Sequence, residues 1–164
     1  MTATYDCIAT TTLGSANNSI DFTSISGSYT DLVLVALASN ASPDGAENFR
    51  LRFNSDTASN YSNTRIYGNG SSAISNRETS QTYMFVGING NSSSDFTVHT
   101  INIQNYSNST TYKTVIARSS WASNYVSAYA SLWRSTSAIT SINISCLQNF
   151  RTGSTFTLYG IKAE

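Results

Sequence analysis

Short runs of apolar residues, either continuous or alternating with polar ones, recur along this chain and are broken at close intervals by Gly, Asn, Ser and Asp. That punctuation is the signature of an all-β domain. No window of useful length repeats apolar residues at three- and four-residue steps while avoiding β-branched side chains, so the pattern predicts almost no helix. Strands are expected over 5–13, 19–25, 31–38, 49–53, 61–67, 82–89, 96–104, 112–121, 125–134, 139–147 and 156–161. In the run over 31–38, Leu32, Val33, Leu34, Val35 and Leu37 are nearly unbroken, which predicts a central strand with both faces covered. Phe49, Leu51 and Phe53 alternate with Arg50, Arg52 and Asn54, a half-buried strand with a basic outer face. Pro43, Asp44 and Gly45 form the clearest turn signal. The Gly-Asn-Gly-Ser-Ser run at 68–72 predicts another turn, and the stretch from there to Ser80 reads as an exposed connection. The strand spacing predicts one domain over 1–164, a jelly-roll-like two-sheet antiparallel sandwich of about ten strands.

Composition narrows the function classes. Only 11% of the 164 residues are charged and the formal net charge is zero, so the chain has no basic stripe of the kind that releases counterions from a phosphate backbone. Nucleic acid is not an expected partner. Ser, Thr and Asn supply about two-fifths of the chain, while aromatic and β-branched residues are spread throughout it, which predicts a folded core under a skin of hydroxyls and amides. Such a skin associates by shape fit and short-range contacts, with little dependence on salt. The N-terminal residues form neither the basic nor the apolar region of a signal peptide, and no run reaches the length of a membrane span. Synthesis in a cytoplasm without export is therefore expected, with no membrane partner. Cys7 and Cys146 lie far apart in sequence and are expected to be free, buried thiols.

The inventory for catalysis is thin. His99 is the single histidine, it falls inside an expected strand, and no G-x-S-x-G elbow accompanies it, so a structural histidine is the expectation. One histidine and two distant cysteines do not make a zinc site. Asn54, Asp56 and Asn60 place oxygen ligands at short intervals in one loop, but without the carboxylate density of a tight calcium site, and they read as an Asx turn. The remaining carboxylates are scattered, with no spacing that pairs two across a cleft. No enzyme activity, metal or cofactor is expected. Trp121, Tyr125, Tyr129 and Trp133 cluster across two adjacent strands. They serve either as core filling or as an exposed platform for stacking on a sugar or anchoring a subunit interface.

The stretches CIATTTLGSANNSIDFTSISGSYTDLVLV, LRFNSDTASNYSNTRIYGNGSS, YSNSTTYKTVIARS, SLWRSTSAITSI and GSTFTLYGIKAE resemble small virion structural proteins of tailed bacteriophages of aquatic bacteria, cyanophages among them. The resemblance covers nearly the whole chain. It implies a non-enzymatic virion component, either a head decoration or cement protein bound to the major capsid protein or a tail-associated module, and it brings no catalytic residues. The chain opens on Met1 with no fibrous or heptad region to serve as a shaft, which favours the capsid. By analogy with cement proteins a homotrimer is expected. Arg50, Arg52 and Arg65 are the candidate contact with an acidic shell. Under the alternative, a receptor-binding lectin-like module on the tail, Asn54, Asp56 and Tyr61 are the candidate glycan site. A depolymerase is a third, weaker class.

Overall fold

A computed structural model describes residues 4–41 and 45–162. Pro43 and Asp44 of the expected turn lie outside the described residues. Among those described there are twelve strands and no helix: β1 (Tyr5–Thr12), β2 (Asn17–Phe22), β3 (Asp31–Ala38), β4 (Glu47–Phe53), β5 (Tyr61–Gly68), β6 (Ala73–Gln81), β7 (Met84–Asn89), β8 (Thr97–Ile103), β9 (Lys113–Trp121), β10 (Tyr125–Trp133), β11 (Ile142–Phe150) and β12 (Thr155–Ile161). They make an antiparallel β-sandwich. The large sheet has eight strands in the order β1-β12-β3-β8-β9-β10-β5-β6, and the small sheet has four in the order β2-β11-β4-β7. Among the described residues no helix is long and apolar enough to cross a membrane.

Alternation decides which side chains meet between the sheets. Leu32 and Leu34 of β3, Ile101 and Ile103 of β8, and Phe156 and Leu158 of β12 point inward from the large sheet, opposite Phe49, Leu51 and Phe53 of β4 and Ile142 and Ile144 of β11. Phe49, Phe150 and Phe156 stack or tilt against one another at centroid distances of 5.1 to 6.3 Å. Each such ring contributes about 1.5–3 kcal/mol by leaving water.

Strand β7 is an edge of the small sheet, yet all six of its residues are buried. It packs across β9 and β10, whose inward positions include the buried serines Ser119, Ser127 and Ser131. Ser119 Oγ accepts from the Ile88 backbone N–H at 3.1 Å and lies 2.6 Å from Ser127 Oγ, while Ser131 Oγ donates to the Phe85 carbonyl at 3.0 Å. Hydroxyls here hold a buried backbone against the opposite sheet, where an apolar side chain would leave polar groups without partners.

Three expectations are corrected. The segment expected to be an exposed connection up to Ser80 is instead β6, paired to β5 with Ile66 opposite Ser75 and Thr64 opposite Arg77. Its side chains are almost all exposed, because an edge strand beyond the reach of the small sheet is held by backbone pairing and needs no apolar alternation. Cys7 and Cys146 are free as expected, but only Cys146 is buried; Cys7 lies exposed on edge strand β1. Lastly, β3 is central to its sheet, but its outer face is only partly covered: Val33 is buried there, while Val35 and Leu37 are exposed.

Candidate functional site: the open face of the large sheet

Strand pairing places the side chains that leave the core on one continuous surface. Across β3, β8, β9, β10 and β5 the registers align Leu37, Val98, Ser120, Val126 and Gly68 in one row, and Val35, Thr100, Arg118, Ala128 and Ile66 in the next. A third row runs Val33, Asn102, Ile116, Ala130 and Thr64. Six aliphatic side chains in these rows, Val35, Leu37, Val98, Ile116, Val126 and Ile66, are between 36% and 64% exposed. Strands sit about 4.8 Å apart and same-face residues about 6.8 Å apart, so five strands by three rows cover roughly 19 by 14 Å. Isolated exposed aliphatics are ordinary, whereas the largest apolar patch on a typical monomer, about 300–600 Å2, is often its functional surface.

The patch is neither flat nor uniform. Ile66, Val126, Ala128, Ala73 and Ser75 line an open groove of about 670 Å3 over β10, β5 and β6, with Arg118 on its wall. Arg118 is exposed, and among the described residues it has no hydrogen-bond or ion-pair partner. The other charges facing this side stand at its margins. Arg77 is on edge strand β6, and Asp31 begins β3, where its carboxylate accepts from the Asn105 N–H at 2.6 Å. Toward the other edge the face turns hydroxylic: Thr10 pairs with Thr157, and Thr12 with Thr155, each at 3.1 Å between side-chain oxygens.

The residues singled out from sequence lie elsewhere. Arg50 and Arg52 are on the outer face of the small sheet, level with Ser145 and Asn143 of β11. Both guanidinium groups lie over the Tyr83 ring, at 4.4 and 5.6 Å from its centroid, and Arg52 Nε donates to the Thr82 carbonyl at 2.8 Å. Arg65 joins the same aromatic group from β5, 5.3 Å from the Phe85 centroid. It is largely buried, donating to Asn48 Oδ1 at 3.1 Å and paired with Glu78 at 3.7 Å. The three arginines therefore converge, but around Tyr83 and Phe85 instead of spreading along one face.

Trp121, Tyr129 and Trp133 point inward and are buried, and Tyr125 is half-buried beside Trp121 and Tyr67. Of the two uses expected for this cluster the structure shows core filling. The three buried rings are turned to the core, since Val126, Ala128 and Ala130 face outward on β10 and Ile116, Arg118 and Ser120 do so on β9. Asn54, Asp56 and Tyr61 do come together, as an internal brace. Asn54 Oδ1 accepts from the backbone N–H groups of Thr140 and Ser141, and its amide donates to the Ala138 carbonyl. Asp56 accepts from Trp133 Nε1 at 2.7 Å, Asn60 Nδ2 at 2.9 Å and the Ala58 N–H at 2.9 Å. Burial raises its pKa, but these hydrogen bonds outweigh it and the pKa ends below the usual carboxylate value. Tyr61 is fully buried, its hydroxyl accepting from the Phe53 N–H at 3.1 Å, and burial pushes its pKa up to about 12.

His99 is wholly buried, stacked on Phe49 at 4.1 Å, with Nε2 3.3 Å from the Asn89 side-chain amide. Burial lowers its pKa to about 3, so the ring is neutral at ordinary pH. Among the described residues no three of His, Cys, Asp or Glu gather in the manner of metal ligands.

The sequence pattern does not reveal the open face: the run over 31–38 reads as covered on both sides, and nothing in the pattern assigns Ile116, Val126 or Ile66 to either face. One signal was available: over 125–133 both alternating sets are apolar, Tyr125, Tyr129 and Trp133 on one side and Val126, Ala128 and Ala130 on the other, so neither set alone identifies the core side. No protein-family model matches this chain, and no curated protein matches it either.

Proposed function

We propose that this chain is a non-enzymatic adhesion module, a decoration or cement protein of a tailed-phage head, which lays the open face of its large sheet on the capsid shell and staples neighbouring capsomers. One observation carries the adhesive reading: six aliphatic side chains from five adjacent strands are exposed on one sheet face. Keeping that surface in water is unfavourable, and covering it returns about 25 cal/mol per Å2 of apolar area. The virion setting rests on the sequence resemblance. The full face of eight strands measures roughly 34 by 20 Å, close to the ~800 Å2 per partner of a stable protein interface. Repetition over a symmetric lattice multiplies a modest single-site affinity.

Two measurements test this. Immunogold labelling of intact virions with an antibody to this chain is expected over the head, and label at the tail tip would overturn the cement reading. Virions lacking the protein are expected to release DNA at lower temperature than complete ones; equal heat resistance counts against it.

A further inference from the structure

Resting on that adhesive reading, we infer that the occupant of the open face is a different protein that presents an apolar surface with an exposed carboxylate, and that Arg118 is the group that selects it. Arg118 stands in the middle row of the patch, between Thr100 and Ala128 in register, with Val35 and Ile66 further along the same row. Docking any surface there removes its guanidinium from water. A buried cation without a partner is strongly unfavourable, whereas a carboxylate placed against it restores the lost interactions and fixes the register of the contact. Among the described residues the face has no acid free to do this: Asp31 lies at the margin and is already engaged with Asn105.

The same geometry disfavours a second copy. Two copies packed face to face about a two-fold axis through the centre of the patch, where Arg118 stands, would set Arg118 against Arg118, and an offset axis would set it against other residues of the same face, none of them acidic in the three rows. The small sheet's outer face differs in kind. There Asp21, Asn143 and Arg52 form a polar row, and Asn143 Nδ2 donates to Asp21 at 2.8 Å. The two outer surfaces of the sandwich are therefore not equivalent, and the open face is the apolar one.

The test uses the whole chain with Arg118→Glu, Val126→Asp and Arg52→Glu, the last on the opposite face as control, each checked for an unchanged thermal midpoint. Three probes are read: retention on a resin bearing both phenyl and carboxylate groups, sedimentation velocity of the free protein, and co-sedimentation with purified phage heads lacking it. Arg118→Glu and Val126→Asp are expected to shorten retention and to weaken head binding about tenfold or more, with Arg52→Glu unchanged. A self-associated wild type that both face variants convert to smaller species identifies a second copy as occupant and overturns the inference. Retention or head binding that follows Arg52 and ignores Arg118 and Val126 overturns it as well. If no variant or wild type binds heads while the resin still discriminates the face variants, the virion setting falls and the chemistry assigned to the face stands.

Discussion

A Cβ atom added to Gly87 would lie 2.3 Å from Nδ1 of His99 and 2.7 Å from its Cε1. The glycine on β7 and the histidine on β8 thus share one volume: the imidazole, stacked on Phe49, fills the space that any larger residue at 87 would claim. Gly87→Ala is expected to destabilise the protein by about 1–3 kcal/mol through overpacking. In the double variant with His99→Ala the two costs are expected not to add, since the cavity left by one accommodates the other. Urea denaturation midpoints of the four proteins in the cycle measure this coupling, and strict additivity would contradict the shared volume.

His99 also sets a pH dependence. Its pKa falls from 6.5 in the unfolded chain to about 3 in the fold because burial penalises the charged ring. Between these values the unfolded chain binds the extra proton, so stability is fully present above pH 6.5 and declines as the pH drops toward 3. The loss between pH 7 and pH 4 is expected to be about 3 kcal/mol. A His99→Gln variant, whatever its stability at pH 7, is expected to show a flatter profile over that window by chemical denaturation.

The brace at Asp56 makes a third case. Asp56→Ala leaves the buried Trp133 indole N–H without its acceptor and releases Asn60 and the Ala58 N–H. A loss of about 1–3 kcal/mol is expected, together with a change in tryptophan emission as the Trp133 environment loosens. Asp56→Asn retains an oxygen acceptor and is expected to fall between the two.

On the open face the direction is different. Ile66→Asp and Val126→Asp replace side chains that are 61% and 64% exposed, and their thermal midpoints are expected to stay close to wild type. Binding of a hydrophobic dye to the folded protein is expected to decrease. A large fall in stability would mean that these side chains pack against the protein itself.

Alternating apolar residues were enough to identify an all-β sandwich and most of its strands, because a side-chain period of two is imposed by the pleat. The features that were missed share a cause. β6 has no buried face, so AISNRETSQ carries no alternation. In β3 the uninterrupted apolar run could not show that one face stays open, because Val35 and Leu37 are as apolar as Leu34 and differ only in what covers them. Arg65 reads as a surface residue until Asn48, Glu78 and Phe85 are seen around it.

Local order in the chain thus settled that strands form, where most of them run, and that little titratable chemistry is available to them. Only the tertiary arrangement decided which of two apolar sets on β10 became core. With four strands in one sheet and eight in the other, the small sheet covers only part of its partner's inner side, and no described element packs over the outer side, so the aliphatic rows around Arg118 are left facing solvent.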